Sequence, residues 1–374
     1  MAGVPDVAAE GGMSDARPKR SDYMNWAKTR QKGRFTLAVS GIRPIGLDEL
    51  GASWDDLALE PPQGYGYPRL TALIASRYGV APDRVVTAAG TSGANHLAMA
   101  TILEPGDDVL CEFPAYEPMV TLALHLGARV RFVSRRADHG FRVDADDFTR
   151  TIRPTTRLVL LSNLHNPSSV ATDPETLQTI GAQADKVGAK VLVDEVYLDA
   201  AFEHAPRSAA MLGDAFVVTS SLTKVYGVSG LRAGWIVASS ELAARMWRLK
   251  DLFGVNDAHP AERLAIVAFR RLDVLAARAR GILDANRALW NAFVERHRDA
   301  LDVELLPYGT TSFPRVRRGD GDELETLLRD RYETTVVPGR FFGCPDRVRV
   351  GLCGDPEGFA QGLERLGEAV LTLS

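Results

Sequence analysis

The sequence has 374 residues, 45% of them hydrophobic, and a formal net charge of −4. That length is enough to bury a large core in more than one domain, and the charge offers a polyanion such as nucleic acid nothing to hold. Three scattered cysteines, Cys111, Cys344 and Cys353, exclude a disulfide framework and the paired spacing of a metal site.

Residues 1–20, rich in Ala, Gly, Asp and Lys and without the apolar core of a secretion signal, read as a mobile leader. No apolar run approaches the roughly 18 residues that cross a bilayer, so no membrane partner is expected and a reducing cytoplasm suits the free thiols. From residue 84 onward short apolar runs alternate with helix-period segments: "RVVTAA" (84–89), "DVLCEF" (108–113), "RVRFVSR" (129–135), "RLVLLSN" (157–163), "KVLVDEVY" (190–197), "AFVVTSS" (215–221) and "GWIVASS" (234–240). Such alternation predicts an α/β fold, with one mostly parallel seven-stranded sheet sandwiched by helices. The pattern then changes to helices, "AERLAIVAFRRL" (261–272) and a long segment over 276–301 whose Ile282, Leu289, Phe293 and Val294 make an apolar stripe. Residues 302–374 read as a smaller strand-plus-helix unit docked through that long helix.

In a parallel α/β sheet the site forms at the carboxyl ends of the strands. Those ends deliver "GTSG" (90–93), Tyr116 in "FPAYEP", Asn166 in "LHNPSS", Asp194 and Tyr197 in "DEVY", and Lys224 in "SSLTKVYGVSGLRAGW" (220–235). A glycine turn opening a helix leaves free N–H groups that favour a phosphate. It is no nucleotide P-loop, because the Gly-Lys-Ser/Thr ending is missing, and the dinucleotide spacing G-x-G-x-x-G is absent too. Glu112 stands about where a dinucleotide fold keeps its ribose ligand, yet that fold explains neither Lys224 nor Asp194. The set describes a ligand with a phosphate, a flat ring, a ring nitrogen wanting a negative partner and a carbonyl for an amine to condense with. Pyridoxal 5′-phosphate has all four.

On these motifs, from roughly residue 35 to the C-terminus, the chain resembles the fold-type I aminotransferases of class I and II. Lys224 and Arg232 stand eight residues apart, like the family's Schiff-base lysine and phosphate-binding arginine, and Asn166 and Asp194 stand 28 apart, similar to its spacing. "VVPGRFFGCPDRVRVGL" (336–352) is similar to the segment whose arginine, here Arg349, holds the substrate α-carboxylate. Two departures stand out: Asn166-Pro167-Ser168-Ser169 replaces the common Asn-Pro-Thr-Gly, and the tyrosine lent across family dimers matches either Tyr65 or Tyr67 without a clean alignment.

The resemblance implies an aspartate-aminotransferase-like architecture, with a large cofactor domain over 45–272 and a small domain from 21–44 and 273–374. It implies a homodimer acting on an amino acid and a 2-oxo acid. Lys224, Asp194 and Tyr197 would be catalytic; Gly90, Thr91, Ser92, Ser221 and Arg232 would hold the phosphate, Tyr116 the ring face, Asn166 and Tyr197 its phenolic oxygen, and Tyr65 the phosphate of the partner. Gly41, Asn166 and Arg349 would face the substrate. The early segment "YMNWAKTRQKGRFTLAVSGI" (23–42) is also similar to the capreomycidine-synthase branch, which cyclises an arginine derivative, and the same machinery runs eliminations. A non-catalytic regulator of this fold would need a DNA-binding domain, for which the leader leaves no room.

Overall fold

The computed structural model describes residues 17–31, 33–60 and 63–373. Most of the expected leader therefore lies outside the described residues, and of the remainder the Pro18 carbonyl accepts from His125 Nδ1 at 2.7 Å.

All seven apolar runs become strands: β1 (Val85–Ala89), β2 (Asp108–Phe113), β3 (Arg129–Ser134), β4 (Thr156–Ser162), β5 (Lys190–Asp194), β6 (Phe216–Ser221) and β7 (Ala233–Val237). They form one sheet in the order β1-β7-β6-β5-β4-β2-β3. Neighbours in it are parallel except at β7, which runs antiparallel to both β1 and β6. Alternate residues serve two apolar layers, Val191 and Val193 facing one and Leu192 the other, all of them sealed from solvent. Helices α2 (Gly90–Ile102) and α4 (Ser240–Lys250) cover the second layer through Ala94, Leu97, Ala98, Leu242 and Met246. Preceding them in the chain, α1 (Asp22–Thr29) lies against α3 (Glu117–His125).

The long helix α5 spans Leu272–Arg296, starting and stopping earlier than its apolar pattern predicted. Its buried stripe is Leu275, Ala279, Ile282, Leu283, Asn286, Trp290 and Phe293, whereas Leu289 points outward. The sequence stripe went astray at Asn286, a polar residue at the centre of the inward face. Its amide donates to the carbonyls of Leu352 and Gly354 at 2.9 and 2.8 Å, which is why burial there is tolerated. Helix α6 (Pro356–Thr372) packs beside α5. Between them in the chain lie β8 (Thr311–Ser312), β9 (Val337–Pro338) and β10 (Val348–Gly351), an antiparallel set with β10 in the middle. The segment Phe35–Thr36 pairs in parallel with Thr334–Thr335, so the early chain joins the C-terminal region.

Glu112, weighed above as a ribose ligand, is spoken for. Its carboxylate lies 2.7 Å from Arg135 Nε with both side chains almost fully buried, and its other oxygen accepts from the Ser162 N–H and hydroxyl at 2.6 Å each. Arg135 also donates to Thr172 Oγ1 at 3.0 Å. Removing one member of a buried pair strands the other's charge, so Glu112→Ala is expected to destabilise the protein by about 3–5 kcal/mol. The joint change Glu112→Leu with Arg135→Met should cost much less, a contrast that calorimetric unfolding would read.

Candidate active site

The strand ends converge as the parallel sheet requires. At one side, α2 begins at Gly90 with no side-chain cap and no acidic residue in its first turn, which leaves its N–H groups open to an anion. The Thr91 hydroxyl donates to Ser221 Oγ at 2.8 Å, and Ser221 Oγ lies 2.6 Å from Thr223 Oγ1. Arg232 takes the left-handed conformation, φ 53°, and its carbonyl accepts from the Gly90 N–H at 2.6 Å. Gly90 takes φ 70°, which favours glycine, and a β-carbon on Gly234 would strike the Gly90 backbone, so the close approach of these two backbones depends on both glycines. Gly90 and Thr91 are buried, whereas Ser92 and Arg232 are exposed.

Asp194 ends β5 almost fully buried. Asn95, one turn into α2, donates to its Oδ2 at 2.9 Å, the Val196 N–H donates to Oδ1 at 3.1 Å, and Thr219 Oγ1 fixes the Asn95 amide at 2.6 Å. Burial pushes the Asp194 carboxyl up, while the Asn95 bond, the Val196 bond and the Lys224 charge work against it. The adjoining Glu195 is also buried, accepting from the Ser208 hydroxyl at 2.6 Å and the Ala209 N–H at 2.8 Å, and burial raises it from 4.5 to about 7.

Lys224 is half-buried beyond β6 and forms no ion pair among the described residues. Its Nζ lies 3.5 Å from Ser40 Oγ, which is 2.8 Å from the Tyr197 hydroxyl, and the amine sits 5.9 Å from the Tyr197 ring centre. Gly41 lies flat against the lysine: a β-carbon there would meet Lys224 Cδ at 3.3 Å, and the next N–H, of Ile42, donates to the Lys224 carbonyl at 2.7 Å.

Arg349, on β10, is 1% exposed. Its Nη1 donates to Asn166 Oδ1 at 2.9 Å, and its Nη2 to the Tyr23 hydroxyl at 3.0 Å and the Ala38 carbonyl at 3.2 Å. Tyr116 stands beside this group with its ring edge-on to Tyr23 at 5.5 Å, and burial raises its phenol well above the ordinary value. The Ser168-Ser169 departure has a local explanation. Ser168 Oγ bonds His165 Nδ1 at 2.6 Å, and Ser169 adopts φ 65°, the conformation a glycine would supply, held by its hydroxyl bond to the Thr311 carbonyl at 2.8 Å.

Of the residues singled out in the sequence, Tyr65 stands apart: it is exposed, its hydroxyl donates to Asp251 at 2.8 Å, and its ring stacks on Trp247 at 5.7 Å. Tyr67 is buried edge-on to His259 at 4.8 Å. The sequence reading missed Asn95 and Tyr23, and took Ser40 only as the start of a specificity segment running to Arg43. Asn95 is the one with a signal, a polar residue in an otherwise apolar helix face behind "GTSG".

The architecture is an aspartate-aminotransferase-like fold, shared with the solved structure of a PLP-dependent aminotransferase from Streptococcus suis at a TM-score of 0.88 and 25% identity, covering 96% of this chain and 99% of its own. The family described as aminotransferase class I and II matches residues 58–366, and the chain belongs to it. Capreomycidine synthase of Streptomyces vinaceus is 31% identical over 362 residues, covering 93% of each chain. Arginine–pyruvate transaminase of Pseudomonas aeruginosa is 32% identical over 302 residues, covering 78% of this chain and 76% of its own. The solved structure of a PLP-dependent cyclase, OrfR, matches with a TM-score of 0.85 at 26% identity, covering 96% of this chain and 100% of its own. The cofactor is therefore pyridoxal 5′-phosphate. The residues fit it: an uncapped helix start beside an arginine suits the phosphate, and the buried Asp194, without a paired cation among the described residues, suits a protonated ring nitrogen.

Two outcomes follow. Gly234→Ala should weaken cofactor binding at least tenfold while leaving the far strands of the sheet intact, as titration of the apoenzyme with pyridoxal 5′-phosphate and circular dichroism would show. Glu195, raised above its ordinary value, contributes stability that is full below about pH 4.5 and lost as pH rises through about 7. Denaturant unfolding between these limits should lose on the order of 2–3 kcal/mol, and Glu195→Gln should flatten that dependence.

Proposed function

We propose that the chain is an aminotransferase moving the amino group of an L-α-amino acid to a 2-oxo acid. The observation that carries this reading is Lys224, a half-buried amine with no acidic partner among the described residues, at a strand end opposite a buried carboxylate and a buried arginine. The bound cofactor supplies a carbonyl that condenses with amines and a ring that accepts the electron pair left at the substrate Cα. Lys224 would hold the group through its amine, and its Nζ is the base that would carry the proton at the substrate Cα. Asp194, aimed by Asn95, would hold a proton at the ring nitrogen. Gly90, Thr91, Ser92, Ser221 and Arg232 would hold the phosphate, Tyr116 would cover the ring, and Asn166 with Tyr197 would bond the phenolic oxygen. Arg349 orients the substrate through its carboxylate, with Gly41 lining that side.

A homodimer belongs to this proposal. Tyr65 is fixed by Asp251 next to Leu252, Phe253 and Val255, apolar residues that are 80%, 54% and 61% exposed, an edge that a second copy would cover while receiving Tyr65.

The likeness to capreomycidine synthase over 93% of both chains favours a second reading, cyclisation of an amino acid with a guanidino side chain. One experiment separates the two. Holoenzyme is mixed with excess β-hydroxy-L-arginine, whose hydroxyl can leave as water when a guanidine nitrogen closes on Cβ, then with L-arginine and a panel of other L-amino acids, and no 2-oxo acid is added. A transaminase releases one equivalent of 2-oxo acid and stops with its cofactor aminated, whereas a cyclase releases none and keeps turning over. Arg349→Lys is expected to raise KM for the amino acid by tenfold or more with cofactor affinity little changed, and Arg232→Lys to show the opposite pattern. Equal phenotypes in steady-state kinetics and cofactor titration would refute the assignment of the two arginines.

A further inference from the structure

Resting on the reading that Arg349 binds the substrate carboxylate, we infer that the Tyr23 hydroxyl is a second donor to that carboxylate, which makes α1 part of the amino acid site. A guanidinium carries five N–H bonds and no acceptor. Three of those on Arg349 are taken, by Asn166 Oδ1, the Ala38 carbonyl and the Tyr23 oxygen. Its Nε is buried with no partner among the described residues. Because the Tyr23 oxygen accepts from Arg349, its own O–H hydrogen is left to donate, and among the described residues it has no acceptor. Tyr23 is 7% exposed, so bulk water does not supply one readily. A buried cation and a buried hydroxyl with an unspent hydrogen stand 3.0 Å apart, and an anion with two oxygens answers both.

The phenol is held in place to do this. Ser21 caps α1, accepting from the Met24 N–H at 3.0 Å, and its hydroxyl reaches across to the Glu117 carboxylate on α3. The Tyr116 hydroxyl contacts Met24 Sδ at 3.6 Å. The Tyr23 ring is edge-on to both Tyr116 and Phe341 at 5.5 Å, with Trp26 stacked 6.4 Å away. Replacing Tyr23 by Phe keeps this packing and removes one hydroxyl.

The test measures equilibrium binding to the holoenzyme of α-methyl-L-arginine and of its carboxamide, with 2-aminoisobutyrate and its carboxamide in parallel. None of these has a Cα proton to lose, and binding is read from the cofactor's visible absorption and from tryptophan fluorescence. Tyr23→Phe is expected to weaken the two acids by about 10- to 100-fold while leaving the two amides within about twofold and cofactor affinity unchanged. Three results overturn the inference: equal weakening of acid and amide, no weakening, or tighter binding of the acids, which would make the hydroxyl a mere occupant of the carboxylate's place. Arg349→Lys is measured alongside. If it erases the preference for acid over amide and Tyr23→Phe does not, the Tyr23 inference alone falls. If neither variant alters that preference, or the native enzyme has none, the reading of Arg349 falls and takes the inference with it.

Discussion

Two backbones that meet with no side chain between them, at Gly90 and Gly234, set the geometry of this site. The contact exists because β7 runs against its neighbours. Its first residues pair with the last residues of β1 and β6, Ala233 beside Ala89 and Gly234 beside Ser221, so the residue before it arrives at the same sheet edge as the parallel strand ends. Had β7 been parallel, Arg232 would have entered from the opposite edge of the sheet. One reversed strand thus brings together a helix start, a hydroxyl pair and a guanidinium that lie far apart in the chain.

Around that cradle the charged groups are held by neutral ones. Asp194 receives its bonds from an amide side chain and a backbone N–H, and Thr219 in turn fixes the amide. Lys224 is approached by a hydroxyl that also meets a phenol. Neutral partners orient an ion without cancelling it, which leaves its charge available to whatever enters. The opposite arrangement lies one strand away, where Glu112 and Arg135 neutralise each other. The first pattern suits chemistry and the second suits support, and burial alone does not distinguish them.

Much of this was legible in the sequence for a physical reason. Strands buried on both faces must be apolar throughout, so all seven announced themselves, and residues at their ends break that rule conspicuously, as Asp194 and Lys224 do. The direction of a strand leaves no such trace, which is why the reversal of β7 was invisible. Asn95 and Tyr23 were missed because each gains its meaning from a partner at least 99 residues away in the chain. Leu289 was misplaced by the same blindness, since the polar Asn286 occupies the inward face only because two distant carbonyls wait for it.

The bond from Arg349 to Tyr23 spans 326 positions of the chain. A polypeptide leaves the ribosome from its N-terminus, so α1 emerges long before β10 and waits for it before its tyrosine finds the guanidinium. The large sheet can assemble while synthesis continues, because β1 to β7 are complete by residue 237. The contact between Arg349 and Tyr23 therefore matures after the large sheet, and a chain cut short before β10 would keep the strand ends and the start of α2 while lacking the buried guanidinium.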